Sequence, residues 1–88
     1  MHYRNGREAK NGDKIVLIGW DAGKIEAVGT LRDATPGNDY CNGYVQIGPV
    51  PNAHGVSDPI ACMCDCLHVE DVAELLRQAG LDKRPAGM

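Results

Sequence analysis

The sequence predicts a mainly β chain: a small barrel of about five strands with one C-terminal α-helix. Three observations point there. Glycine is frequent, at 11 of 88 residues, and glycine marks the tight turns that separate short strands. Short aliphatic runs recur between those turns up to Leu67. Near the C-terminus the apolar spacing then changes to that of a helix.

The elements follow in order. Asn5-Gly6 stands between Tyr3-Arg4 and Arg7-Glu8-Ala9, and Asn-Gly predicts a small hairpin through a type I′ turn, with positive φ at both positions. Lys10-Asn11-Gly12-Asp13 is a second turn. Lys14 to Ile18 is aliphatic and β-branched, so it reads as a strand, and its two apolar faces predict a central strand or one bent across a barrel. Gly19 to Gly23 is a loop that carries Trp20. Lys24 to Asp33 is the next strand, with Ile25, Ala27 and Leu31 on one parity and Gly29 between them. A glycine there predicts a bulge or a sharp bend. After the Thr35–Asp39 loop, Tyr40 to Ile47 is a strand with Cys41, Val45 and Ile47 inward and Tyr40, Asn42, Tyr44 and Gln46 on the other side. Gly48 to Pro59 is a long loop, and such loops are often functional. Ile60 to Leu67 reads as one further strand. Val69, Val72, Ala73, Leu76 and Ala79 make one helical face. Glu70 and Asp71 complement the dipole of the first turn, and Gly80 with Leu81 predicts a Schellman end.

Residues 1–81 therefore read as one small domain and 82–88 as a flexible tail. The chain has no phenylalanine, so its core must be aliphatic, helped by tryptophan and tyrosine. A core that thin favours a homo-oligomer, through the helix or an edge strand. No run of about 18 apolar residues exists, and the start is polar, so a cytoplasmic protein without a membrane span is expected. The net charge of −3 argues against nucleic acid as the first choice of partner. No P-loop, Rossmann glycine pattern, nucleophile elbow or zincin motif occurs, and no enzyme is expected.

Gly12-Asp13-Lys14-Ile15-Val16, a loop, and then Val28-Gly29-Thr30-Leu31 resemble the SH3-like barrels over Gly12 to Ile47. In those domains a Gly-Asp turn opens the first long strand. The start of the chain, Tyr3-Arg4-Asn5-Gly6-Arg7 followed by Gly12-Asp13, also resembles in style the short proteins of bacteria and their phages. The first resemblance implies a binding groove made by aromatics of the first loop and a neighbouring strand. The second implies a counter-defence protein that sequesters a nucleotide immune signal or blocks a host partner.

The residues that would carry such binding are Trp20, Tyr40 and Tyr44, whose rings can stack on a base, a proline or an acyl group. Arg4, Arg7 and Arg32 would meet a phosphate or carboxylate. His54, in the long loop, is a further ligand contact. The plainer reading has Trp20 capping the barrel end and His54 solvated. A separate cluster is Cys62-Met63-Cys64-Asp65-Cys66-Leu67-His68. In a single strand, Cys62, Cys64, Cys66 and His68 would line one side, and these are zinc-ligand types. Side chains two apart on a strand lie about 6.5–7 Å apart, which is poor spacing for one ion. Small buried thiols are the plainer reading, and His68 reads better as a residue that starts the helix.

The leading function is therefore a non-enzymatic binding module, without a cofactor, for a small nucleotide-like ligand or a protein partner. One alternative is a nucleic-acid- or ribosome-associated SH3-like domain. The other is a zinc-binding Cys/His module.

Overall fold

The computed structural model describes residues 1–19, 24–35 and 42–87, apart from the side chain of His54. Five strands and one helix organise them: β1 Lys14–Leu17, β2 Ala27–Arg32, β3 Asn42–Gln46, β4 Ile60–Cys62, β5 Cys66–His68 and α1 Val69–Gln78. The strands form one antiparallel sheet in the order β4-β3-β2-β1-β5. β1 is indeed central, between β2 and β5, and Ile15, Val16 and Leu17 are all buried.

The predicted strand Ile60 to Leu67 is two strands. A 3-10 turn, Met63–Asp65, breaks it and sends β4 and β5 to opposite edges of the sheet. This connection dictates the shape. In a flat sheet the two edges would lie about 19 Å apart, four spacings of about 4.8 Å. The four Cα steps from Cys62 to Cys66 reach at most about 14 Å, and a 3-10 path rises only about 2 Å per residue. The sheet must therefore curl, and it forms a half-barrel. Its inside holds Tyr3, Ile15, Leu17, Leu31, Val45, Met63 and Cys66, with Ala9, Ala34 and Ala61 filling the narrow parts.

The parities in β2 and β3 follow expectation at Leu31 and Val45, both buried. Ile25 and Ile47 do not. They fall just outside β2 and β3, where the pleat no longer dictates their direction, and both are exposed. Gly29 and Gly43 are close approaches. A Cβ on Gly29 would lie 2.3 Å from the Gln46 carbonyl oxygen, and one on Gly43 would lie 2.7 Å from Leu31 Cδ1.

The N-terminal hairpin forms, with a bridge between His2 and Glu8, but its turn differs from type I′. Gly6 alone has positive φ (91°). Gly6 N–H donates to Tyr3 O, and Tyr3 N–H donates to Arg7 O. This is a three-residue loop ending in a left-handed glycine, so Asn5 needs no strained backbone. The turn at Gly12 (φ 97°) is present as expected, with Asp13 N–H donating to Lys10 O at 3.1 Å.

The helix begins on His68, whose Nδ1 accepts the Glu70 N–H at 3.0 Å. It ends in the Schellman pattern: Gly80 N–H donates to Arg77 O and Leu81 N–H to Leu76 O. α1 packs on β5 and β1 through few side chains, since none of its residues is buried. Leu75, Leu76 and Leu81 stay exposed. Among the described residues no helix is long and apolar enough to cross a membrane.

Candidate functional site

The long loop is built around one carboxylate. Asp58, with its side chain 3% exposed, lies where the loop returns to β3. It accepts Arg32 Nε at 3.1 Å and Nη2 at 2.9 Å, the Asn52 N–H at 3.0 Å and the Ile47 N–H at 3.4 Å. Asn52 sits in the left-handed region (φ 53°), which asparagine tolerates. Its Oδ1 accepts the Asp58 N–H at 2.9 Å, so the two residues bracket the 3-10 turn Ala53–Gly55. Arg32 also donates to Asp33 at 2.7 Å, and its guanidinium lies 4.4 Å from the centroid of the Tyr44 ring. Against this polar frame lies an apolar cavity of about 300 Å³, lined by Ile47, Gly48, Ala53, Val56, Ser57 and Asp58. That volume is at the small end of ligand sites.

Arg4 and Arg7 stand elsewhere, on the N-terminal hairpin. Arg4 Nε donates to Cys64 O at 2.8 Å, and its Nη2 to Gly19 O and Asp65. Arg7 reaches the first turn of α1, pairing with Glu70 and Asp71 at 3.2 Å each, and Asn5 joins it on Asp71 at 2.9 Å. The hairpin thus fastens both the Met63–Asp65 turn and the start of the helix. Beneath it Tyr3 donates to Asp13 at 2.6 Å, and His68 Nε2 lies 3.7 Å from the same carboxylate. Burial and then the Asp13 carboxylate raise the Tyr3 hydroxyl above its usual value.

Three carboxylates are held below the ordinary range. For Asp58 the Asn52 N–H acts most strongly, burial opposes it, and Arg32 adds to the lowering. For Asp71 the Asn5 amide leads, burial opposes, and Arg7 follows. Burial works to raise Asp13, yet the Tyr3 hydroxyl, the Lys10 N–H and His68 outweigh it. A depressed folded pKa contributes stability above the unfolded value, about 3.9 for Asp, and that stability is lost as pH falls through the folded value. The urea midpoint is therefore expected to be flat between about pH 7 and pH 5 and to fall below about pH 4. Asp58→Asn should flatten part of that fall. A wild-type midpoint that holds down to about pH 2 would contradict the assignment.

The structure brings Arg32 to Tyr44 and gives Arg4 and Arg7 other tasks: Arg4 holds the Met63–Asp65 turn and Arg7 the first turn of the helix. Trp20 and Tyr40 lie outside the described residues, as does Cys41, and His54 contributes its backbone to the 3-10 turn Ala53–Gly55. The cysteine row is corrected. Because the Met63–Asp65 turn interrupts the strand, Cys66 is buried, Cys64 is exposed and Cys62 is in between. Among the described residues no group of three His, Cys, Asp or Glu side chains is placed to hold a metal ion. Asp58 and Asn52 went unnoticed in the sequence. The available signal was the pair of Asx residues around a glycine-containing segment, a pattern that favours side-chain-to-backbone turns.

Comparison of the chain with protein families, with curated proteins and with solved structures finds no match.

Proposed function

We propose that this chain is a non-enzymatic binding module on an SH3-like barrel, which takes an apolar side chain of a protein partner into the Ile47–Asp58 cavity. The cavity carries this reading. Its wall is mostly apolar, the polar members being Ser57 and the Asp58 carboxylate already engaged by Arg32, Asn52 and Ile47, and Val56 (68% exposed) and Ile47 (56%) in that wall face solvent. Val50 and Ile60, nearby in the chain, are exposed as well. The barrel type is supported by the topology: a four-strand meander whose fifth strand returns beside the first.

The arginines favour a protein over a nucleotide or nucleic acid. Arg7 and Arg32 are each paired with two carboxylates, and Arg4 with Asp65. A phosphate would have to displace those partners. Taken with the resemblance to phage proteins, the role is counter-defence by blocking a host protein, acting in the cytoplasm. The exposed leucines of α1 support self-association as its oligomeric form.

A displayed library of random peptides, selected on the protein, tests this reading beside a panel of cyclic nucleotides. Selected peptides are expected to share an apolar anchor and to lose at least about tenfold in affinity, ~1.4 kcal/mol, on Val56→Asp. Nucleotides should give no thermal shift. Nucleotide stabilisation without peptide binding, or peptides indifferent to Val56→Asp, would overturn it. Native mass spectrometry of the same preparation reads the subunit number.

A further inference from the structure

We propose that Cys62 and Cys64 form a dithiol site that reacts with small-molecule disulfides and closes to an intrachain disulfide. The observation is geometric. The Sγ atoms of Cys62 and Cys64 lie 3.1 Å apart. In an extended strand, residues two apart are held about 6.5–7 Å from one another, but the chain turns into a 3-10 segment between these two. Met63 points into the core, 0% exposed, while the thiols on either side of it meet outside. Cys64 is exposed and Cys62 half-buried, so a small disulfide can reach the pair.

The turn is held from several directions. Arg4 binds Cys64 O at 2.8 Å and Asp65 at 3.1 Å, its N–H donates to Cys66 O at 3.1 Å, and Ile18 N–H donates to Asp65 O at 2.9 Å. The two sulfurs are therefore brought together by the fold, and closing the bond orders little further chain. Cys66 does not share this chemistry. Burial above all pushes its thiol up to about 12, and thiols exchange as thiolates.

The reaction balances with a disulfide as oxidant. The Cys64 thiolate attacks one sulfur of glutathione disulfide, forms a mixed disulfide and releases one glutathione thiolate. The Cys62 thiolate then attacks Cys64 Sγ, forms the Cys62–Cys64 bond and expels the second glutathione. Two thiols lose two protons and two electrons, and one glutathione disulfide becomes two thiols. This site is separate from the Ile47–Asp58 cavity, and its test does not depend on any partner.

The full chain is treated with glutathione disulfide, alkylated after denaturation and weighed. It has four cysteines. The oxidised wild type is expected to lose two hydrogens, to take two alkyl groups fewer and to retain no glutathione. Cys62→Ser should keep one glutathione, because the second attack is missing, and Cys64→Ser should lose no pair of thiols. Circular dichroism checks that each variant is folded. If Cys62→Ser does not fold, the wild type and Cys64→Ser, altered at an exposed position, carry the test. Four alkylated cysteines in the treated wild type, or loss of a thiol pair in either folded variant, would overturn the site.

Discussion

Met63→Ala is expected to lower the free energy of unfolding by about 3 kcal/mol, within the range of about 2–5 kcal/mol for buried methionine truncations. Met63 is fully buried among Tyr3, Ile15, Leu31, Val45 and Cys66. It sits in the three-residue turn that joins the two edges of the sheet. Its removal empties the inside of the half-barrel at the point where the edges come together, and two short edge strands offer little with which to collapse around the gap. A chain of 88 residues has roughly 4–13 kcal/mol in total, so this one side chain carries a large share. Met63→Leu, which keeps volume, should cost less than about 1.5 kcal/mol. Urea denaturation reads both. A Met63→Ala loss below about 1 kcal/mol would mean that the turn does not seal the core.

The second large effect is at Gly29. Glycine inside a strand is ordinarily a weakness of roughly 0.5–1 kcal/mol relative to alanine, so Gly29→Ala would normally stabilise. Here the sign reverses. The added Cβ would meet the Gln46 carbonyl oxygen at 2.3 Å, its carbon at 2.9 Å and Val45 Cγ1 at 3.0 Å. The oxygen belongs to the backbone of β3, which pairs with β2 from Thr30 to Arg32, and it can move only if the two strands part. Overpacking of this kind costs about 1–3 kcal/mol, which for a domain of this size lowers Tm by roughly 5–20 °C. Thermal unfolding followed by circular dichroism decides the sign. A higher Tm for Gly29→Ala would show that β2 and β3 are not in such close contact.

Much of the β framework is local and therefore readable. Lys14 to Ile18 reads as a strand by being apolar on both faces, and the structure places its Lys14–Leu17 part between β2 and β5. The glycine at the end of the helix announces its Schellman close, and His68 its start. The run from Ile60 to Leu67 was not readable in this way. Its composition suits a strand throughout, and nothing local says that Met63 must turn inward while the chain crosses from one edge of the sheet to the other. That break moved the three described cysteines out of line and put two sulfurs in contact. The polar frame was hidden for a similar reason. Arg32 and Asp58 are far apart in sequence, and each alone reads as an ordinary surface charge.

The sequence by itself determines the mainly β character, the turns at Gly6 and Gly12, the central strand and both ends of the helix. These depend on backbone preference and on the period of apolar residues, which act over a few neighbours. The tertiary structure alone decides the curl of the sheet, the pairing of Asp58 with Arg32, the cavity beside them and the meeting of Cys62 with Cys64. Each of these depends on where a connection must land once the sheet has curled, and that distance is a property of the whole half-barrel.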